Sequence, residues 1–586
     1  MEYLFNPITD KAPYGACKSG TAVTYTVRVS VRCECGQVFF VYLPDGEVET
    51  KNIRMPIVGV VDGYYIFRAS IKFPTAGLFW YHFQVVNPKY TVYLNKTPLF
   101  DAEPLGYLNS SYCQNVYKRD TRVANDYRTG AMYHIFVDRF CKGGVRPPAN
   151  KSIAPVTLRA DWGGDMTKNT KDFLKINKEF FGGNLYGVIE KLPYIAGLGV
   201  KTIYLSPIFQ SSSYHRYDTS DFSRVDEMLG GDGALKELIA EGKKHGIGII
   251  LDGVFNHIGS DSDIFKSACS SKTSPYYGWF EFSHFPDRYS CWWGIDTLPQ
   301  FNESNLQMQN YIAGENGIIQ KYMKMGIAGF RLDVVDEITD PFLDKICGRI
   351  KAEKTDALVI GEVWEDAATK IAYDKRRHYF AGGQLDCVMN YPLKNAVIDY
   401  VLHGNAEGLA GVFFTLRDHY PQSVQNNLMN FLGTHDTKRI LSVVHAVNLL
   451  KIASAVQYMS AGVPSIFYGD EVGIGMDGYG AGEAPFCRVC MPWGHENTEV
   501  LDWYKKLGDL RKMDVFNGGE TRVIFFGSGV FVFERTKKSE RVVFAGNCGR
   551  DDFQINVTNP MRDFEANEII KESVILPPNS FKIFIA

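Results

Sequence analysis

The sequence predicts an α/β fold: a (β/α)8 TIM barrel with an inserted small domain, flanked by N-terminal and C-terminal β-sandwich domains. Three observations lead there. Eight short apolar runs alternate with helical segments through the middle of the chain, which is the pattern of parallel βα units. The segments on either side show short alternating runs broken by turn residues, the pattern of antiparallel sheets. Several of the central runs also end in acids, and barrel enzymes carry their chemistry at the C-terminal ends of their strands.

The first sandwich is assigned to residues 1–125. Its strands are read at Tyr25-Thr-Val-Arg-Val-Ser-Val, Gln37-Val-Phe-Phe-Val-Tyr-Leu, Tyr64-Tyr-Ile-Phe-Arg-Ala-Ser-Ile and Leu78-Phe-Trp-Tyr-His-Phe-Gln-Val, with turns at Pro44-Asp45-Gly46 and Asp62-Gly63. The barrel is assigned to 126–512. Its strands are read at Tyr133-His-Ile-Phe-Val, Thr202-Ile-Tyr-Leu, Gly248-Ile-Ile-Leu-Asp, Phe330-Arg-Leu-Asp, Ala357-Leu-Val-Ile-Gly-Glu, Cys387-Val-Met-Asn, Asn427-Leu-Met-Asn-Phe and Pro464-Ser-Ile-Phe-Tyr. Helical patterns fall between them at 184–198, 234–244, 309–325 and 342–353. A doubly wound open sheet is the structural rival. The last domain, 513–586, returns to alternating runs at Thr521-Arg-Val-Ile-Phe-Phe, Gly529-Val-Phe-Val-Phe-Glu and Arg541-Val-Val-Phe-Ala.

Composition removes several functions. Among 586 residues, 63 Lys+Arg oppose 66 Asp+Glu for a net charge of −3, so the chain has no general electrostatic reason to bind nucleic acid or anionic lipid. No window reaches the ~18 uninterrupted apolar residues of a membrane span; the best, 447–468, contains Lys451, Gln457 and Pro464. The opening Met-Glu-Tyr-Leu-Phe-Asn-Pro lacks the basic start and apolar core of a secretory signal, so a cytoplasmic location is expected. Twelve cysteines are scattered along the chain. Only Cys33-x-Cys35 and Cys487-x-x-Cys490 are close pairs, and neither has the partner pair a structural zinc requires. Gly473-Ile-Gly-Met-Asp-Gly478 matches the dinucleotide fingerprint by letter, but Tyr479-Gly-Ala-Gly-Glu-Ala-Pro485 after it cannot open a helix, so the mechanism of that motif is missing.

Four acids close predicted strands or follow them: Asp252, Asp333, Glu362 and Asp436, at intervals of 81, 29 and 74 residues. One βα unit is about 30 residues, so 29 is one unit, 74 about two, and 81 one unit plus an insertion. Arg331 and Asp333 alternate to the same face of their strand, and a buried Arg beside Asp333 favours its ionised form. Glu362, after an apolar run, is expected to hold its proton. Two carboxyls in different charge states are the machinery of a retaining glycosidase. Spacing alone leaves this level with other barrel chemistry, such as an enolase-type or aldolase-type site.

The residues around the acids carry more. Leu251-Asp-Gly-Val-Phe-Asn-His257, Gly329-Phe-Arg-Leu-Asp333, Gly361-Glu-Val-Trp364 and Gly433-Thr-His-Asp436 resemble, in order, the four signature regions of glycoside hydrolase family 13, the α-amylase family. The N-terminal sandwich and Leu298-Pro-Gln-Phe-Asn302 resemble the neopullulanase/cyclomaltodextrinase/maltogenic amylase branch. The resemblance implies Asp333 as nucleophile, Glu362 as acid/base and Asp436 as the acid that fixes the distorted sugar, with Arg331 orienting Asp333. It implies substrate contacts from Tyr217, Asp252, Asn256, His257, His435, Arg488 and, on the acceptor side, Trp364. The implied activity is hydrolysis of α-1,4-glucosidic bonds in pullulan, cyclodextrins and maltooligosaccharides. The alternatives are a 4-α-glucanosyltransferase or a non-catalytic glucan-binding member. The branch also implies a homodimer.

The insertion after His257, at about 258–305, would be the small domain walling the cleft. It holds Tyr276, Tyr277, Trp279, Phe280, Phe282, Phe285, Tyr289, Trp292 and Trp293, some expected at sugar subsites and most in its own core. Two departures from the branch stand out. Ala484-Pro-Phe-Cys-Arg488 replaces an acid-rich segment, which weakens a donor-side subsite. Cys141-Lys-Gly-Gly-Val-Arg-Pro-Pro and Gly182-Gly-Asn184 replace the oxygen-rich loops that hold calcium in some members, and the four residues after Asp333 end in Glu337 where calcium-dependent amylases have His. No metal and no cofactor are expected.

Overall fold

The computed structural model describes residues 2–144, 156–165, 172–480, 482–557 and 559–586. Its centre is a single sheet of eight parallel strands: β1 (Ala131–Ile135), β2 (Val200–Leu205), β3 (Gly248–Gly253), β4 (Gly329–Leu332), β5 (Leu358–Gly361), β6 (Cys387–Val388), β7 (Met429–Phe431) and β8 (Val463–Phe467). They are ordered β6-β5-β4-β3-β2-β1-β8-β7. A parallel bridge between Met389 and Met429 joins the two ends of that order, so the sheet closes and the open, doubly wound rival is excluded. Every residue of β1, β4, β5, β6, β7 and β8 is buried, because helices cover one face and barrel side chains fill the other.

Two predicted helices are each broken into two. Residues 184–198 form Leu185–Glu190 and Leu192–Gly197, interrupted where Pro193 begins a fresh first turn. Residues 309–325 form Leu306–Ala313 and Ile318–Met325, with Gly314 and Gly317 in the gap. Glycine stops a helix readily, and period alone did not register the stop.

The N-terminal strands form two sheets. Ala22–Ser30 pairs antiparallel with Tyr64–Lys72, and Gln37–Pro44 pairs with Gly77–Val86. Between them lies an aromatic core of Tyr25, Phe40, Tyr81, Phe83 and Tyr112, with Tyr25 and Phe40 centroids 4.6 Å apart. This sandwich sits on its own barrel through a buried joint. Lys11 Nζ lies 2.8 Å from Asp418 Oδ1, both side chains sealed from solvent. Asn115 Nδ2 donates to the His419 carbonyl at 2.9 Å, and His419 Nδ1 lies 2.6 Å from Asp366 Oδ2. Cys113, Asp418 and His419 bring possible ligand atoms within 4.8 Å of one another, but the Lys11 ammonium already answers the Asp418 charge that would draw a cation there. Lys11→Met should leave the Asp418 carboxylate buried and unpaired, at a cost of about 3–5 kcal/mol. Scanning calorimetry should show a clearly lower first transition; an unchanged trace would mean that Asp418 is satisfied without Lys11.

The C-terminal strands Glu520–Gly527, Val530–Lys537, Glu540–Asn547 and Ser580–Ile585 run antiparallel in one sheet. Its Phe531, Phe533, Phe544 and Phe581 belong to the same core as the barrel, and Phe413 of a barrel helix packs 4.9 Å from Phe533. Among the described residues no helix is long and apolar enough to cross a membrane.

The insertion leaves β3 and returns at the helix Leu306–Ala313. It contains the helix Asp263–Ser270 and a short hairpin, Phe282–His284 with Arg288–Tyr289. Phe265 packs against Phe280 at 4.9 Å and Tyr289 at 4.7 Å. That small core takes most of the insertion's aromatics. An antiparallel bridge from His257 to Gln300 fastens it to the barrel mouth, and one from Phe280 to Phe301 closes it on itself.

Candidate active site

Three of the four acids converge on the C-terminal mouth of the barrel through one guanidinium. Arg331, on β4 and fully buried, donates from Nη1 to Asp252 Oδ1 at 2.8 Å and to Asp333 Oδ1 at 2.6 Å. Its Nη2 lies 2.8 Å from Glu362 Oε2 as an ion pair. Asp252 is the last residue but one of β3, Asp333 directly follows β4, and Glu362 directly follows β5. The residue after Asp333 is strained. Val334 has φ +36° and ψ +52°, costly for a β-branched side chain, and this turns its N–H onto Glu362 Oε2 at 3.1 Å.

The sequence predicts Asp333 held by Arg331; the structure brings the two together and adds Asp252 and Glu362 to the same cation. Burial pushes the Asp333 carboxyl well above its ordinary value, with Glu362 and Asp252 adding to the rise and Arg331 opposing it. Three carboxyls share one cation, so the neighbouring negative charges oppose the ionisation of Asp333.

Asp436 is different. Burial alone would raise it, but the His435 ring, 2.9 Å away, and Arg488, whose Nη2 donates to Oδ1 at 2.9 Å, hold it well below the usual carboxylate range. Arg488 Nε also donates to the His435 carbonyl at 2.8 Å. The structure therefore commits Arg488 to Asp436 and its loop.

The tyrosine and histidine shell is continuous. Tyr217 donates to Asp252 Oδ2 at 2.9 Å, lies 2.6 Å from His435 Nε2, and stacks on His435 with centroids 5.1 Å apart and planes 11° off parallel. His257 is buried; desolvation brings it down to about 4, so it is neutral, with Nε2 3.1 Å from the Tyr217 carbonyl. Trp364 stacks on Tyr391 at 4.5 Å and 15°. Its Nε1 donates to Glu362 Oε1 at 3.2 Å, and half of its surface stays open.

These groups floor a cleft of about 1320 Å³, above the usual ~300–1,000 Å³ of small-molecule sites. Tyr217, His257, Asp333, Glu362, Trp364, His435, Asp436 and Arg488 line it. Asp252, Asn256 and Arg331 lie behind its wall. Asn256, fully buried, accepts from Gln300 Nε2 at 3.0 Å and braces the insertion. From the insertion's aromatics only Trp292 and Trp293 reach the cleft lining.

Sequence reasoning missed Tyr204, whose OH donates to Asp252 Oδ2 at 2.6 Å, and Tyr391, whose OH lies 3.4 Å from Glu362 Oε1. Tyr204 alternates inward on its own strand, and Tyr391 opens the helix after β6. Both were findable by applying the strand-end rule to every strand. Tyr373, on a small hairpin after β5, gives no such signal.

Two oxygen-bearing side chains stand at the position of the altered loops. Asn184 Oδ1 accepts from the N–H groups of Gly143 at 3.2 Å and Gly187 at 2.9 Å. The Asp138 carboxylate accepts from the N–H groups of Phe181 and Gly182. These oxygens accept from backbone N–H groups, and Arg146 of the altered loop lies outside the described residues.

Fold and site together define an α-amylase-type glycoside hydrolase domain. The chain matches the α-amylase catalytic domain over residues 135–499 and belongs to that family. It is 32% identical to a cyclomaltodextrinase of Thermoanaerobacter pseudethanolicus, over 73% of this chain and 72% of that one. It is 30% identical to an amylopullulanase of Thermoanaerobacter thermohydrosulfuricus over 90% of this chain, but spans only 40% of that much longer protein. The cyclic α-maltosyl-(1→6)-maltose hydrolase of Arthrobacter globiformis superposes with a TM-score of 0.68 at 26% identity, covering 79% of this chain and 99% of its own.

Proposed function

We propose that this protein hydrolyses α-1,4-glucosidic bonds of pullulan, cyclodextrins and starch-derived maltooligosaccharides with retention of configuration. The observation that carries this reading is the grip of one guanidinium on both Asp333 and Glu362 at the floor of the cleft. Two carboxyls gripped by one planar cation are neighbours, as the pair of a retaining enzyme must be at ~5–5.5 Å. Asp333, as carboxylate, attacks the anomeric carbon while Glu362, as carboxylic acid, gives its proton to the departing oxygen. Glu362 then takes a proton from the water that frees the sugar from Asp333. Asp436, kept ionised by His435 and Arg488, stabilises the positive charge that develops on the ring.

A second reading, transfer to a sugar acceptor in place of water, is supported by the aromatic surface left open near Glu362. Trp364, Trp293 and Tyr373 are 51%, 78% and 69% exposed and offer stacking faces to an incoming ring. A homodimer is supported by the edge strand Ile57–Val61, where Ile57, Val58, Val60 and Val61 are each more than half exposed, a template for pairing with another chain. Sedimentation should then give about twice the 66.0 kDa of one chain.

A timed digest of pullulan, β-cyclodextrin and soluble starch, followed by proton NMR, tests the main reading. α-Anomers should appear first, and products longer than the starting oligosaccharide would mark transfer. Initial release of β-sugar would overturn the double displacement. Activity and melting temperature should be unaffected by EDTA; a drop in both that calcium restores would show a metal site built from other ligands.

A further inference from the structure

We propose that the N-terminal sandwich positions part of the glucan cleft of its own chain, through the grip of Asp45 on Arg376 at the base of the hairpin Ile371–Arg376. The inference rests on the glucan-hydrolase reading and adds to it a positioning residue outside the barrel.

The hairpin pairs Ile371–Ala372 with Lys375–Arg376. Its tip, Tyr373-Asp374, takes φ +51° and +59°, the twist of a tight two-residue turn that favours Asn-Gly. Two-residue strands with a disfavoured turn do not hold themselves in water. Yet Ile371, Ala372 and Tyr373 line the cleft, with Ile371 and Tyr373 more than half exposed. Anchors must supply the order.

Within the barrel, Lys370 pairs with Asp336 at 3.1 Å, and the Tyr373 hydroxyl donates to Glu337, which also accepts from Trp293 Nε1 at 3.1 Å. The anchor at the base comes from another domain. Asp45, in the turn after Gln37–Pro44, accepts from Arg376 Nε at Oδ2 and from Nη2 at Oδ1, each at 2.9 Å. Asp45 Oδ1 also accepts from Trp80 Nε1 at 2.7 Å, which fixes the carboxylate, and the guanidinium lies 5.7 Å from the Trp80 ring. Both partners are more than four-fifths buried. A side-on, two-bond Arg–carboxylate pair fixes orientation as well as distance, and the third nitrogen, Nη1, donates to the Thr369 carbonyl at the hairpin's neck. The sandwich thereby holds the strap that faces Trp293 of the insertion across the cleft.

The test uses the full chain with Asp45→Asn, which keeps an acceptor for Trp80 and removes the charge, alongside Arg376→Gln and Asp45→Glu. Maltoheptaose, with seven rings, extends along the cleft that the hairpin lines; α-maltosyl fluoride, whose leaving group is a single atom, places no sugar on the leaving-group side. Asp45→Asn and Arg376→Gln should each raise KM for maltoheptaose about threefold to tenfold, with kcat nearly unchanged. Asp45→Glu should recover part of that loss, and kinetics with α-maltosyl fluoride should match wild type. Hydrogen exchange across residues 369–377 should quicken in the two charge-removing variants. Equal losses on both substrates, or exchange unchanged from wild type, would overturn the positioning role. A wild type inactive on both substrates would overturn the glucan reading instead, and the exchange result would still decide whether Asp45 orders the hairpin.

Discussion

Asp333→Asn should lower kcat on maltooligosaccharides by on the order of 10⁴–10⁶, and Glu362→Gln by about 10²–10⁴, with the fold of each variant intact. Asparagine keeps an oxygen for Arg331 Nη1; glutamine keeps one oxygen, enough for either Trp364 Nε1 or the Val334 N–H, which bond different oxygens of Glu362, so each variant loses at most local bonds at a site inside an otherwise unchanged barrel. The chemistry does not survive. An amide cannot form the glycosyl ester that Asp333 would form, and it cannot lend the proton that Glu362 would lend. The two losses should separate on α-maltosyl fluoride. Fluoride departs without a proton, so the first step of Glu362→Gln should be largely spared and glycosyl-enzyme should accumulate, seen by mass spectrometry as an added maltosyl group. Asp333→Asn should show neither turnover nor adduct. Near-wild-type turnover by either variant would overturn the pair, and an adduct on Asp333→Asn would move the nucleophile elsewhere.

Arg331→Met should be the most destabilising single change at the site, by about 3–5 kcal/mol at neutral pH. The side chain is fully buried and is the cation shared by Asp252, Asp333 and Glu362. Without it, three carboxyls face one another in a desolvated cluster whose member Asp333 already lies above its ordinary value. The sign of the pH dependence follows. Arg331 opposes the rise at Asp333, so losing the cation raises that folded-state value further above the one in the unfolded chain; the folded form binds more protons and stability falls as pH rises through that window. The deficit against wild type should therefore be largest near neutrality and shrink as pH falls toward the ordinary carboxylate range. Arg331→Lys should recover only part of it, because one ammonium cannot reach three acids as a planar fork does. Melting curves from pH 5 to 8 check this; a variant as stable as wild type at pH 7, or a deficit that grows on acidification, would sink it.

The sequence by itself determined the barrel, because parallel strands covered on both faces must be apolar throughout and therefore stand out as runs such as Ala357-Leu-Val-Ile and Pro464-Ser-Ile-Phe. It also determined which acids end those runs, since a strand's end is a local fact and the motifs around Asp252, Asp333, Glu362 and Asp436 are contiguous. Helix continuity was less legible, because the apolar period runs straight through Gly314 and Gly317 while the backbone does not. Only the tertiary structure decided the partnerships. Arg331 serves three acids and not one, Asp252 and Asn256 sit behind the cleft wall, and Arg488 is spent on Asp436. Lys11 meets Asp418 across 407 positions of sequence and Asp45 meets Arg376 across 331. Periodicity records which face of an element is buried; it carries no record of which distant charge that face will meet. That choice is made by how the sandwich seats on the barrel, where each buried charge must find its partner or pay the full cost of leaving water.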